Sequence, residues 1–123
     1  MCPGTIPGAP DKRRGADAAL KGKGYTDLSI SQAIRLLEEA RQSILVDTRN
    51  IAEYRKGTLP GAISIPEWEI DRKAPVLLPD RNVPVLVFCR TGAHSWHTAQ
   101  RLAEMGYTRV YNVGGYLEWQ LGN

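Results

Sequence analysis

Cys89 is the residue of this chain best placed for covalent chemistry. The stretch VLVFCRTGAHSWHTA, residues 85–99, runs from apolar residues into Cys89, Arg90 and Gly92 and then into a helical pattern. A helix N-terminus and a neighbouring cation favour the thiolate, which is the nucleophilic form of cysteine. Gly92 lets loop amide groups approach a ligand closely, and such amides bind anions. The pattern therefore predicts a nucleophile and an anion-binding site in one loop, against the alternative of an inert buried cysteine.

Other chemistries at the same loop lack a residue that they need. A tyrosine-phosphatase-type loop has Arg after Cys and five further residues, and this chain has Ser95 there. His94 and His97 lie near Cys89, but no second cysteine or carboxylate nearby completes a metal site, so we expect no metal. A Cys–His hydrolase would also need an orienting Asn or Asp. We expect His94 at the loop mouth, contacting an anion, and a structural role for His97.

Alternating strand and helix patterns must position this loop. SILVDTRN, VPVLVF and RVYNVGG are short apolar runs typical of buried parallel strands. AHSWHTAQRLAEMGY is amphipathic from about Ala93, Ser29 or Ser31 is expected to cap an earlier helix, and EWEIDRK suggests one helical turn. The alternation predicts an α/β fold with a central, mainly parallel sheet of about five strands and helices on both faces. Ligands of such sheets bind at the carboxyl ends of strands, where Cys89 lies.

Length and charge indicate one folded domain preceded by a basic arm. The chain has 123 residues, of which 42% are hydrophobic, enough for one core. Residues 1–24 are rich in Gly and Pro and carry 5 basic and 2 acidic side chains, whereas the remainder carries 11 of each. We therefore predict a flexible arm at 1–24 and a domain at 25–123. Because the excess charge belongs to the arm, we expect no nucleic-acid partner.

The two cysteines and the apolar segments bear on localisation. Cys2 and Cys89 are too far apart in sequence to suggest a disulfide framework. No apolar run approaches the roughly 20 residues of a membrane span, and no signal-peptide core is present. We expect a cytoplasmic protein without a transmembrane segment. The alternative is an exported protein, lipid-anchored through Cys2, if the sequence is a mature fragment.

Four segments, in unbroken order over about residues 25–121, resemble the rhodanese-like (sulfurtransferase) family. They are YTDLSISQAIRLLEE, ILVDTRNIAEYRKGTLPGAISIP, VLVFCRTGAHS and MGYTRVYNVGGYLEW. The second resembles the family's Asp-x-Arg strand end and Gly-x-x-Pro-Gly-Ala turn. The third is similar to its active-site strand and six-residue loop, and the fourth to its closing strand and Gly-Gly pair. The resemblance implies the rhodanese-like version of the predicted fold.

The resemblance implies sulfur transfer through a persulfide on Cys89. The sulfane sulfur would come from thiosulfate or a similar anionic donor and pass to cyanide, a thiol or a protein, with no cofactor and no metal. The residues expected to bind the substrate are those of the loop: Arg90, Thr91, Gly92, Ala93, His94 and Ser95. Arg90 and His94 would steer the donor, and Thr91 and Ser95 would offer hydroxyl or amide donors. Two alternatives are a regulatory module that carries persulfide or docks a partner and, less favoured, a phosphatase or arsenate reductase on the same fold.

This chain departs from the family pattern at two positions, and one charged pair allows two interpretations. The family commonly has His where this chain has Thr58, at a turn that we interpret as structural. Many single-domain members have Arg where this chain has His94, so the charge of the loop mouth would depend on pH near neutrality. Asp47 and Arg49 fall at the end of a neighbouring strand. They either support the loop from behind or, the interpretation we favour, form a structural ion pair with a residue such as Glu53.

Overall fold

The computed structural model describes residues 24–122, in which five strands alternate with five helices. Most of the arm predicted at residues 1–24, including Cys2, lies outside the described residues. None of the described helices is long and apolar enough to cross a membrane. The elements are β1 (Thr26–Asp27), α1 (Ile30–Glu39), β2 (Ile44–Asp47), α2 (Ile51–Lys56), β3 (Ile63–Ser64), a 3₁₀ turn (Glu67–Glu69), α3 (Ile70–Leu77), β4 (Val85–Cys89), α4 (Ser95–Glu104), β5 (Val110–Gly115) and α5 (Tyr116–Gly122).

The five strands form one parallel sheet in the order β1-β5-β4-β2-β3. The central strand β4 is buried at every residue, as its continuous apolar sequence requires. The register shifts between Val87 and Cys89, so that Cys89 lies opposite Gly115 of β5. The α/β fold with a parallel sheet is thus confirmed, and Cys89 ends its middle strand.

Helices cover both faces of the sheet, and β4 contributes alternate side chains to two cores. Val85 and Val87 pack in the core that includes buried residues of α3 and α4. Leu86 and Phe88 pack in the other core, with buried residues of α1 and α5. Because β4 is enclosed on both sides, its end is held firmly, and the loop after Cys89 starts from a fixed point.

The starts of α1 and α4 differ in how closely they match the sequence-based expectations. Ser29, one of the two expected caps, begins α1: its Oγ accepts from Gln32 N at 3.1 Å, and Gln32 Oε1 accepts from Ser29 N at 2.8 Å. Helix α4 begins at Ser95, two residues later than the expected start at about Ala93. The intervening residues belong to the loop that folds over Cys89.

The segment EWEIDRK forms more helix than the single turn that we expected. A 3₁₀ turn over Glu67–Glu69 leads directly into α3, which continues to Leu77. Ile70 and Ala74 lie one helical turn apart and are both buried against the sheet. This buried stripe extends the helix beyond the charged stretch on which the expectation rested.

Candidate active site

The amide groups of the loop after β4 converge on the sulfur of Cys89. Gly92 N lies 3.0 Å from Cys89 Sγ and His94 N lies 3.4 Å from it, both with donor geometry. Gly92 adopts a φ of +88°, a left-handed conformation that turns its N–H back toward the thiol. Cys89 itself is 6% exposed. The sulfur therefore sits under a pair of backbone donors at the carboxyl edge of the sheet.

This loop can fold so tightly only because β5 ends in glycine. A Cβ on Gly115 would lie 2.4 Å from the carbonyl carbon of Thr91 and 2.7 Å from Gly92 N. A Cβ on Gly92 would in turn lie 3.2 Å from the carbonyl carbon of Gly114. Sequence reasoning did not identify Gly115 as a site residue, although the Gly-Gly pair in YNVGGY was the signal. The loop occupies the space that a side chain at position 115 would need.

Ser95 is tied to β5 through its hydroxyl group. Ser95 is fully buried, and its Oγ donates to Asn112 Oδ1 at 2.6 Å. Asn112 Nδ2 donates to Asp27 Oδ1 at 3.0 Å. The Ser95 hydroxyl proton is therefore directed to Asn112. Asn112 was not among the residues that sequence reasoning selected.

Asp47, the last residue of β2, pairs with Arg49, two residues further along the chain. Arg49 Nη2 lies 2.7 Å from Asp47 Oδ2, and the Arg49 amide N lies 2.9 Å from Asp47 Oδ1. Thr58 Oγ1 donates to Asp47 Oδ2 at 2.7 Å, so the turn that carries Thr58 closes on this carboxylate. The hydrogen bond to buried Asp47 raises the pKa of Arg49 above its usual value. The ion partner of Arg49 is thus Asp47 and not Glu53.

The buried pair reaches the Cys89 loop indirectly, through the start of α5. The Arg49 guanidinium lies 4.0 Å from the centroid of the Tyr116 ring, and that ring stacks on Phe88 at 6.4 Å. Leu117 N, next in the chain, donates to Arg90 O at 3.1 Å. Within residues 24–122, no hydrogen bond joins either charged side chain to the loop itself. The pair therefore fixes the elements beside the loop.

The remaining loop residues form an exposed mouth. The Arg90 side chain is 68% exposed, and its Nε lies 4.0 Å from Glu53 Oε2. The ring of exposed His94 faces that of His97 at 6.5 Å, and His97 stacks on Trp96 at 3.7 Å. The loop and the start of α4 thus present a charged side chain and several aromatic side chains to solvent.

Thr91 and Ala93 interact within the loop. Ala93 N lies 3.4 Å from Thr91 Oγ1, which makes the Thr91 hydroxyl an acceptor in the loop turn. Both residues are exposed at the mouth. In the part of the chain that the structure describes, no group of three or more His, Cys, Asp or Glu residues could hold a metal ion.

Comparison with known proteins identifies the family of this chain. The model of the Rhodanese-like domain family matches residues 29–121. The chain belongs to this family. The match runs from the cap of α1 into α5, it includes strands β2 to β5 and the Cys89 loop, and it agrees with the resemblance drawn from the four sequence segments.

Among the relatives of known name, several are sulfurtransferases. The chain is 39% identical over 70 residues to "Thiosulfate sulfurtransferase PspE" of Escherichia coli, covering 57% of this chain and 67% of that protein. It is 35% identical over 92 residues to "Sulfurtransferase" of Allochromatium vinosum, covering 74% of this chain and 81% of that protein.

Solved structures show the same fold. An E. coli "rhodanese with anions" superimposes with a TM-score of 0.59 at 36% identity, over 62% of this chain and 89% of that chain. The human single-domain sulfurtransferase TSTD1 superimposes with a TM-score of 0.69 at 25% identity, over 79% of this chain and 96% of that chain. Each superposition covers most of the solved chain.

Proposed function

We propose that this protein is a thiosulfate sulfurtransferase of the rhodanese type that carries a sulfane sulfur on Cys89. The observation that supports the proposal most directly is the convergence of the Gly92 and His94 amides on Cys89 Sγ. Backbone donors aimed at a recessed sulfur stabilise negative charge on it, as persulfide chemistry requires. The relatives named sulfurtransferases support a sulfurtransferase role in general.

The proposed first half-reaction loads the enzyme. The Cys89 thiolate attacks the outer sulfur of thiosulfate, a new S–S bond forms, and the original S–S bond breaks. Sulfite leaves with the electron pair of that bond, and the outer sulfur remains on Cys89 as an anionic persulfide. The loop amides hold the negative charge of this sulfur, and no cofactor or metal takes part.

The second half-reaction returns the enzyme to its starting state. A thiophilic acceptor, which is cyanide, a thiol or a protein cysteine, attacks the terminal sulfur. The bond from that sulfur to Cys89 breaks, and Cys89 regains its electron pair as a thiolate. The acceptor leaves as thiocyanate or as a persulfide.

The remaining loop residues serve binding in this proposal. Exposed Arg90 and His94 attract the anionic donor toward the mouth, and the amides from Arg90 to Ser95, with Thr91, Gly92 and Ala93 between them, surround the transferred sulfur. Asp47 and Arg49 act at a distance, since they hold the turn at Gly57 and the start of α5 beside the loop. They touch no reacting atom.

Sulfite release tests the proposal. Purified protein with thiosulfate and cyanide should release sulfite continuously, and Cys89→Ser should abolish the release while its thermal unfolding midpoint stays near that of the wild type. Full activity in Cys89→Ser would contradict the mechanism. A wild-type protein that forms the persulfide but does not turn over would favour a regulatory carrier instead. Hydrolysis of an aryl phosphate would favour a phosphatase, although Ser95 replaces the arginine that such a loop needs.

A further inference from the structure

We propose that Asn112 is a positioning residue for the chemistry at Cys89, because its side chain fixes the first residue of α4 and thereby the His94 amide. This inference deepens the proposed sulfurtransferase function and rests on it for its biological meaning. Asn112 lies on β5 and touches none of the reacting atoms. Its effect passes through Ser95, the residue that directly follows His94 in the chain.

The orientation of the Asn112 side chain is set by Asp27. A carboxylate only accepts hydrogen bonds, so the Asn112 amide must present Nδ2 to Asp27, where the contact is 3.0 Å. Oδ1 is then turned toward Ser95, which donates to it at 2.6 Å. The three side chains form a polar relay of fixed direction from the edge strand β1, across β5, to the start of α4.

The relay controls the weaker of the two contacts with sulfur. His94 N lies 3.4 Å from Cys89 Sγ, whereas Gly92 N lies 3.0 Å from it. His94 O accepts from His97 N at 3.0 Å, so His94 is held on its other side by the first turn of α4. A shift of Ser95 therefore moves the His94 peptide and changes the distance and the angle of its contact with the sulfur.

The polar relay can be tested by exchanging the amide of Asn112 and the carboxylate of Asp27. Asn112→Asp sets two carboxylates against each other, so that the introduced carboxylate cannot keep both its place beside Asp27 and its bond to Ser95. Asp27→Asn keeps an oxygen that accepts from Asn112 Nδ2, and it serves as the matched control. In the double variant Asp27→Asn/Asn112→Asp both bonds can form again: the new amide at position 27 donates to the new carboxylate, which reverses that bond, and the carboxylate still accepts from the Ser95 hydroxyl.

The measurement is the rate at which iodoacetamide alkylates Cys89 in the full chain at one fixed pH near neutrality, followed by peptide mass spectrometry. Cys2 in the same sample reports any general change in reagent reactivity. We expect Asn112→Asp to slow alkylation of Cys89 by roughly tenfold, the size of one charge-assisted hydrogen bond, and Asp27→Asn to slow it by at most about twofold. The double variant should return to within about twofold of wild type. Turnover with thiosulfate should follow the same order, with the loss in kcat/KM.

The exchange separates positioning from general destabilisation. A folded Asn112→Asp protein that alkylates at the wild-type rate would overturn the proposal. If Asn112→Asp does not fold, the double variant decides, since a folded double variant that stays about tenfold slow would also overturn it. If the exchange pattern holds while wild-type protein transfers no sulfur, the positioning role of Asn112 stands and the proposed function fails.

Discussion

The two strands that flank β4 hold the Cys89 loop by opposite means. On the β5 side, the loop rests on backbone, because Gly115 leaves no Cβ between itself and Thr91. On the β2 side, the neighbouring elements are held by a buried ion pair of Asp47 and Arg49, both less than a tenth exposed. The first support controls where the loop amides point. The second holds together the strand end, the turn and the helix beside the loop.

This difference leads to opposite expectations for substitutions. Changes on the β2 side should mainly lower the free energy of unfolding, with a smaller effect on sulfur transfer by the protein that remains folded. Changes on the β5 side should mainly lower sulfur transfer, with a smaller effect on the free energy of unfolding. A result in which both sides lose stability and activity in the same ratio would remove the distinction.

Arg49→Met should give the largest loss of stability. It leaves the Asp47 carboxylate buried without its cation, which costs about 3–5 kcal/mol in the free energy of unfolding. Urea denaturation measures this loss. The double variant Asp47→Leu/Arg49→Met removes the stranded charge and should recover much of the stability. If Arg49→Met lowers the free energy of unfolding by less than about 1 kcal/mol, the ion pair does not stabilise the β2 side as we infer.

Gly115→Ala should lose less stability but more activity. The new Cβ would lie 2.4 Å from the carbonyl carbon of Thr91, so backbone must move, at a cost of about 1–3 kcal/mol. A displaced loop should lower kcat/KM for thiosulfate by about 100-fold. Gly61→Ala is the matched control, because nothing lies within 4 Å of its Cβ and only its φ of +83° is strained. It should cost about 1–2 kcal/mol and leave kcat/KM unchanged, and equal activities in the two variants would refute the account.

Thr58→Val should have a smaller effect on the β2 side. Asp47 loses the hydroxyl donor at 2.7 Å but keeps Arg49, which predicts a loss of about 1 kcal/mol in the free energy of unfolding. Thr58→Ser retains the hydroxyl group and should lose less. A wild-type stability for Thr58→Val would mean that the turn does not depend on this bond.

Asp71→Asn should have the smallest effect, because it breaks an ion pair at the surface. Asp71 binds Arg101 at 2.8 Å and 3.0 Å, and this contact lowers the pKa of Asp71 below its usual 3.8. A carboxyl group with a lowered pKa adds stability above its unfolded-state pKa, and that contribution is lost as the pH falls through the folded-state pKa. Thermal unfolding of wild type and variant should therefore differ slightly at neutral pH and converge in acid. A difference that grows in acid would contradict the sign.

The sequence predicted those features that depend on local pattern. The apolar run of β4 and the helical periodicity after it placed Cys89 at the carboxyl edge of the sheet. Ser29 was one of the two residues expected to cap α1, and it does so. The contacts of Asn112 and Gly115 depend on the register of β5 against β1 and against β4, which single-sequence patterns do not specify. Arg49 was expected to pair with a residue such as Glu53. Its pairing with Asp47 requires a backbone path at the end of β2 that the residue types alone do not dictate.

The central claim is that Cys89 carries the transferred sulfur, and intact mass before and after treatment with thiosulfate tests it most directly. The wild-type protein should gain the mass of one sulfur atom, located on the peptide that contains Cys89, and cyanide should remove it. Cys89→Ser should gain nothing under the same conditions. A folded wild-type protein that gains no sulfur, or a Cys89→Ser protein that gains as much as the wild type, would contradict the account.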